Sequence, residues 1–314
     1  MPETITPVPS EFSEYITIPL AGGGDGRPPK DQGEGRYGRG DTIDGYVIER
    51  LIAKHHLAEV YSARGPHHER VAIKIFFRSR NEAVEAFTTE LNAAVMLHHP
   101  NVLEIVRVGP GANQFYLVMP LCEHGTLADW IRERPRVRFE DALVILHQLA
   151  SALEYTHSKR IVHGDLSPEN IAVFNSLLLQ VKIFDFGLAR LVGCPRYRLA
   201  DFYGTLSYSA PERILGNTAA STAEDMFSLG AILYEIVADR PLFRVESTHW
   251  PIERSLASLK ILDAVAPPQL SGVIRRLLSD EPEKRPTASA VLQTIDPLLT
   301  HSQSVPPRER QITK

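Results

Sequence analysis

The feature that most constrains this chain is the order of its apolar patterns. Apart from a short hairpin strand expected over 178–184, the strand-like runs lie up to Met119, and nearly every helix-like run lies behind it. Val47, Leu51, Val60, Tyr61 and the run Val71 to Phe77 read as β-strands separated by turns. Gln114 to Met119 reads as one more strand. Between them, residues 82 to about 98 carry apolar side chains at Val84, Phe87, Leu91, Ala94 and Val95, the period of a helix packed on one face. Beyond Pro120, Ala142, Ile145, Leu146, Leu149 and Leu153 mark a long amphipathic helix, and residues 225–237 are apolar on nearly all sides, as a buried central helix requires. Strands first and helices afterwards predict an α+β chain of two lobes rather than an alternating β/α sheet.

Length permits such a division, since 314 residues suffice for two lobes with a sizeable core. Residues 1–42 are expected to be a disordered tail. They are rich in glycine and proline and offer too little apolar surface to offset the entropy of ordering. The order predicted is a small β-rich lobe over about 43–119, a connector over about 120–123, a helical lobe over about 124–299 and a polar tail over 300–314. A net charge of -4 points to neither nucleic acid nor an anionic membrane. No apolar run approaches the roughly 20 residues that span a bilayer. Two cysteines, Cys122 and Cys194, are too few for a disulfide framework, and a cytoplasmic location is expected. The twelve histidines show no ligand spacing that would make a metal site.

Chemistry concentrates between Ile161 and Ile171. Asp165 and Asn170 are five residues apart, with Pro168 between them preventing a continuous helix. A carboxylate and a carboxamide on one short loop suit a base beside a metal ligand. Asp185, ahead of Phe186 and Gly187, suits a second metal ligand on a loop that must bend, with Gly187 supplying the unusual backbone angles. Lys74 sits inside an apolar strand, where a lysine is rarely buried without a partner. Glu90, flanking the apolar face of the first helix, is the acid available to it.

Taken together, these residues resemble the eukaryotic-type protein kinase superfamily, from about Ile43 to Leu299. Seven elements fall in the family's order: Val71 to Lys74, Glu90, the loop from His163 to Asn170, Asp185 to Gly187, Ala210 to Glu212, Asp225 and Arg285. The resemblance implies a two-lobed fold with ATP and Mg²⁺ (or Mn²⁺) as cofactors and a protein serine or threonine hydroxyl as acceptor. It implies that Lys74, held by Glu90, binds the α- and β-phosphates, that Asp165 is the base, and that Asn170 and Asp185 hold the metal. Ala53, His55 and Ala58 fall in the phosphate-binding loop. Val60, Ala72 and Ala172 would enclose the adenine, Met119 would stand at the back of that pocket, and the backbone of Pro120 and Cys122 would bond the adenine edge. Glu212 would pair with Arg285 and Asp225 would brace the loop, while Thr205 accompanies serine/threonine specificity. A regulatory protein partner is expected to engage the N-terminal tail.

The chain departs from the family at three places. The three glycines of the phosphate-binding loop are absent, which predicts a stiffer loop with a looser grip. Gly164 replaces the arginine that reads a phosphate on the activation segment, which predicts constitutive activity or control by a partner. Ser167 replaces the lysine that neutralises the γ-phosphate. Two other readings follow from these departures: an inactive kinase-like scaffold, and a small-molecule phosphotransferase, since His163-Gly164-Asp165 is also similar to aminoglycoside and choline kinases.

Overall fold

Alternation of side chains along extended backbone explains the first unit of the structure, a computed structural model. It describes residues 35–77, 80–111, 114–134, 137–175, 179–194, 206–215, 219–243 and 259–304. The chain divides into two units, residues 1–87 with 106–119, and 88–105 with 120–314. Thr205 and the two tyrosines of the activation segment, Tyr197 and Tyr203, lie outside the described residues.

In the first unit, β1 (Thr42–Ile43), β2 (Tyr46–Lys54), β3 (Ala58–Arg64), β4 (Arg70–Phe76), β5 (Arg107–Gly111) and β6 (Gln114–Pro120) form a sheet of order β1-β2-β3-β4-β6-β5. Val60 pairs with Lys74, Tyr61 with Ile73 and Ser62 with Ala72. Residues directly opposite in such a ladder share a face, and successive residues alternate. One face therefore carries the apolar cluster of Ile48, Tyr61, Ala63, Val71, Ile73, Ile75, Tyr116 and Val118. The other carries Val60, Ser62, Ala72, Lys74 and Met119. A register shift between Leu51 and Ala53 places Ala53 opposite Val60 and so on that same face.

The apolar face is covered by chain that the sequence assigns to the disordered tail, and that expectation needs correction for residues 35–41. Arg36 N–H donates to Glu59 Oε2 at 2.9 Å and Tyr37 N–H to Tyr61 Oη at 3.2 Å. The Tyr37 ring meets Tyr61 edge-on at 5.9 Å, and its hydroxyl donates to Gln114. Gly35 is required there, because a Cβ would come within 2.2 Å of Tyr61 Oη. Burial, and then the hydrogen bond to Glu59, push the Tyr61 phenol well above its ordinary pKa. Composition hid this docking because two aromatic rings and a few backbone donors outweigh the glycines around them.

Helix α1 (Asn81–Met96) also differs in rotation from the sequence reading. Its buried positions are Ala83, Ala86, Phe87, Glu90 and Ala93, whereas Met96 is exposed. Glu90 thus lies on the buried face rather than flanking it, because the small alanines pack closest. Phe87 stacks on Phe115 at 4.9 Å.

The second unit is mainly helical. After α2 (Leu127–Arg132), α3 (Phe139–Ser158) and α5 (Thr222–Ala238) provide its centre, with α4 (Pro211–Ile214), α6 (Leu262–Val265), α7 (Pro268–Leu277) and α8 (Ala288–Ser304) around them. Helix α3 buries Ala142, Ile145, Leu146, Leu149 and Leu153, and α5 is buried from Glu224 to Tyr234. Ser221 starts α5 with a capping box to Glu224, satisfying donors that the helix itself leaves open. Two small ladders complete the unit: β7 (Ile161–Val162) with β10 (Arg190–Leu191), and β8 (Ile171–Asn175) with β9 (Gln180–Ile183). No helix among the described residues is long and apolar enough to cross a membrane.

Candidate active site

The loop that leaves β7 is held by one buried carboxylate. Asp225, near the start of α5, accepts the backbone N–H of His163 on Oδ2 at 2.8 Å and that of Gly164 on Oδ1 at 2.9 Å. Nε2 of His157, from the last turn of α3, lies 2.9 Å from Oδ2. Burial by itself would raise the Asp225 pKa. The bond and charge of His157 and the Gly164 donor outweigh it and hold the carboxyl below the usual range.

His163 is fully buried and uses both ring nitrogens. Nε2 lies 3.0 Å from Phe184 O, so it donates, and Nδ1 accepts the N–H of Asp165 at 3.2 Å. These bonds assign the neutral tautomer with its proton on Nε2. The ring also meets Phe186 at 4.7 Å, tying the loop to the Asp185–Gly187 turn.

Asp165 and Asn170 are brought together. Pro168 opens a single 3₁₀ turn, Pro168–Asn170, which folds the carboxamide back so that Nδ2 donates to Asp165 O at 2.8 Å and Oδ2 at 3.2 Å. Asn170 O accepts from Phe184 N–H at 3.0 Å, linking the turn to the end of β9. The amide of Asn170 being committed to Asp165, its Oδ1 is the atom left to accept or to ligate. Asp185 supplies a carboxylate, with Oδ1 3.4 Å from Gly187 N. Hard oxygen donors of this kind fit Mg²⁺. Among the described residues no group of three or more His, Cys, Asp and Glu side chains gathers around a metal position. A cation at Asn170 and Asp185 would therefore take its remaining ligands from elsewhere.

The unusual backbone at this turn belongs to Asp185 rather than to Gly187. Asp185 has φ 63° and ψ 67°, the left-handed region, while Gly187 has no positive φ. Aspartate tolerates that region better than most residues, because its short side chain bonds the local backbone, here the Gly187 N–H.

Ser167 is 1% exposed, and its Oγ has no hydrogen-bond partner among the described residues. Position 167 thus contributes neither charge nor a satisfied hydroxyl.

In the first unit, Lys74 is 7% exposed and its ammonium lies 5.2 Å from the Phe76 ring centre. Ala53, Val60, Ala72 and Met119 share its face of the sheet. Residues 55–57 are the turn between β2 and β3, closed by His55 N–H to Ala58 O at 2.8 Å and by Lys54 Nζ to Glu59 Oε1 at 3.5 Å. The tip is pinned as well: Phe77 N–H donates to Leu57 O at 3.0 Å, and Arg80 Nη1 lies 2.8 Å from His56 Nε2. None of residues 53–58 has a positive φ, so the turn closes without glycine.

In the second unit, Glu90 is 4% exposed and Ala172 is buried on β8. Pro120 ends β6, where its missing N–H removes a donor but leaves the carbonyl. The Cys122 thiol donates to Gly125 O, with Val173 O equally close at 2.8 Å, and burial pushes its pKa up. Further along, Arg285 grips Glu212 with bonds of 2.6 and 2.8 Å and also donates to Ala223 O and Ser279 O. One residue that sequence reasoning missed, Arg190, also comes to the loop: the β7–β10 pairing brings its Nη2 to 3.4 Å from where a Cβ at Gly164 would stand, and local sequence does not announce that pairing.

The chain matches the family model of the protein kinase domain over residues 46–295. It is 32% identical over 259 residues to the serine/threonine-protein kinase PLK4 of Drosophila melanogaster, covering 81% of this chain and 33% of that protein. The zebrafish (Danio rerio) protein of the same name is 29% identical over 272 residues, covering 84% of this chain and 28% of that protein. The chain thus spans about a third of the length of the curated relatives it matches.

Proposed function

Since the chain belongs to the protein kinase family, we propose that it is a serine/threonine kinase that transfers the γ-phosphate of ATP to a protein hydroxyl. The observation that carries this is the Asp165–Asn170 pair, held on Asp225 with a carboxylate and an amide in hydrogen-bond contact. Asp165 accepts the hydroxyl proton of the substrate. Asn170, through Oδ1, and Asp185, through its carboxylate, hold Mg²⁺ or Mn²⁺, which when bound neutralises charge on the phosphates. Lys74 is the cation assigned to the α- and β-phosphates and Glu90 its counter-charge. Val60, Ala72, Met119 and Ala172, with Ala53, His55 and Ala58 of the hairpin, are the surfaces assigned to the nucleotide.

A protein acceptor is supported by the segment after residue 206. The buried Arg285–Glu212 clamp and the Asp225 brace belong to the part of the family that acts on proteins, which small-molecule phosphotransferases lack. The scaffold reading draws on the glycine-free hairpin and on the uncharged Ser167, whose Oγ has no hydrogen-bond partner among the described residues. The experiment that decides is phosphate transfer from labelled ATP to itself or to a generic protein, with Mg²⁺ or Mn²⁺ and with Asp185→Asn as control. Transfer that the substitution abolishes is expected. No transfer together with no ATP-dependent thermal shift would overturn the enzyme reading, and labelling of small hydroxyl compounds alone would redirect it.

A further inference from the structure

Glu59 is 2% exposed, although it stands at the mouth of the phosphate-binding hairpin. It directly follows Ala58 and lies opposite Lys54, which directly follows Ala53. A carboxylate buried to that depth is costly without partners, and three groups supply them. Lys54 Nζ lies 3.5 Å from Oε1. Oε2 accepts the Tyr61 hydroxyl at 2.6 Å and the Arg36 backbone N–H at 2.9 Å. The next residue of the same segment, Tyr37, donates its N–H to the Tyr61 oxygen at 3.2 Å. Two successive amides of residues 35–41 thus end on one carboxylate, one directly and one through a phenol.

The same segment also touches the far end of the hairpin. The Arg36 guanidinium lies 4.8 Å over the centre of the Phe77 ring, a cation–π contact. Phe77 is the residue whose N–H holds the hairpin tip at Leu57 O, at 3.0 Å. Residues 35–37 are therefore fastened to the mouth through Glu59 and to the tip through Phe77. A hairpin without glycine has less freedom to mould itself to a phosphate, so its grip depends on being held in place beforehand.

We propose that residues 35–37 are a strap which, with Glu59 as its anchor, positions the phosphate-binding hairpin and sets its grip on the nucleotide. Glu59 and Arg36 are positioning residues, since they act through the hairpin backbone and not on the substrate. This rests on the kinase reading above. The strap acts on nucleotide binding and not on the Asp165 chemistry, so its loss moves KM for ATP and leaves kcat in place.

The test uses the full chain and compares wild type with Gly35→Ala, Glu59→Ala, Glu59→Gln and Tyr116→Phe. A methyl at position 35 would fall 2.2 Å from Tyr61 Oη, so Gly35→Ala lifts the strap while leaving every hairpin residue intact. KM for ATP should rise by about three- to tenfold, the worth of one hydrogen bond, with kcat within about twofold of wild type. Hydrogen exchange at the His55 and Phe77 amides, which close the hairpin, should quicken. Glu59→Ala should match this, and Glu59→Gln should fall between it and wild type, because the amide keeps an oxygen for Arg36 N–H. Tyr116→Phe removes a bond to Asp44 on the same sheet and should lower the melting temperature without moving KM. KM at the wild-type level in Gly35→Ala, a loss carried by kcat, a glutamine no better than alanine, or an equal rise in Tyr116→Phe each overturns the proposal. Should Glu59→Ala fail to fold, Gly35→Ala carries the comparison. Wild type that transfers no phosphate and shows no ATP-dependent thermal shift defeats the kinase reading instead. Exchange then decides the strap by itself, and unchanged rates at His55 and Phe77 in Gly35→Ala overturn it.

Discussion

Asp225 and His157 face each other across 2.9 Å inside the helical unit, one from the first turn of α5 and the other from the last turn of α3. The same carboxylate receives two backbone donors of the loop before Asp165, so the geometry of the loop and the packing of the two helices share one anion. Asp225→Asn would turn an NH₂ group toward donors that need an acceptor. The expected loss is about 3 kcal/mol, typical of breaking a buried charged pair. Denaturant unfolding at neutral pH measures it, and a loss below about 1 kcal/mol would show that the anion is dispensable.

The same residue sets a pH dependence. Its folded pKa is depressed, so its contribution is complete above the unfolded carboxyl value of about 3.9 and fades as pH falls through the folded pKa. Wild type should therefore lose melting temperature more steeply than Asp225→Asn from about pH 4 downward. Thermal melts of both proteins across acid pH check the sign. Parallel curves would place the titration elsewhere.

Arg285 and Glu212 form the other buried pair, with the arginine side chain wholly inaccessible. Lysine can neither make the two-pronged bond nor reach Ser279 O and Ala223 O at the same time. Arg285→Lys is expected to cost about 2–3 kcal/mol, somewhat less than deleting the charge altogether. Activity should fall with it, because the same arginine holds Ala223 O in the first turn of α5, the turn that carries Asp225. A variant as stable as wild type would remove the clamp from the account.

How much of this was legible in the residues depended on range. Asp165 and Asn170 lie five apart, and a proline-started turn was enough to bring them together. The helical centre was visible because residues 225–237 are apolar on nearly every side. What stayed hidden involved longer or subtler relations. Residues 35–41 read as tail because a handful of backbone donors meeting Glu59 and Tyr61 leave no compositional mark. Glu90 was placed beside the buried face because leucine and methionine outrank alanine in hydrophobicity, yet the close-packed alanines won. Arg190 needed strand pairing to be noticed at all.

Residues 35–41 should stabilise the sheet measurably. Tyr37→Ala removes the ring against Tyr61 and the bond to Gln114, and about 2 kcal/mol of stability should go with it, at the lower end for a large side chain that is partly buried. Glu59→Gln weakens the Lys54 pair and the acceptor for Arg36 N–H, for a further loss near 1 kcal/mol. Hydrogen exchange of β3 and β4 reads both effects locally. Unchanged protection in Tyr37→Ala would return those residues to the tail.

The glycine-free hairpin offers the sharpest contrast with the family. Because residues 53–58 take no positive φ and the tip is tied to Phe77 and Arg80, glycine has no conformational task to perform there in the absence of nucleotide. Introducing Ala53→Gly, His55→Gly and Ala58→Gly together adds chain entropy to the unfolded state, at about 0.5–1 kcal/mol per site. Stability should drop by roughly 2 kcal/mol on that basis. The same substitutions strip side chains from the path by which backbone N–H groups approach phosphates, so KM for ATP should fall while the melting temperature falls. Opposite movements of affinity and stability are the signature expected of a loop that trades grip for rigidity. If KM rises along with the loss of stability, the hairpin's side chains, His55 first among them, take part in holding the nucleotide instead.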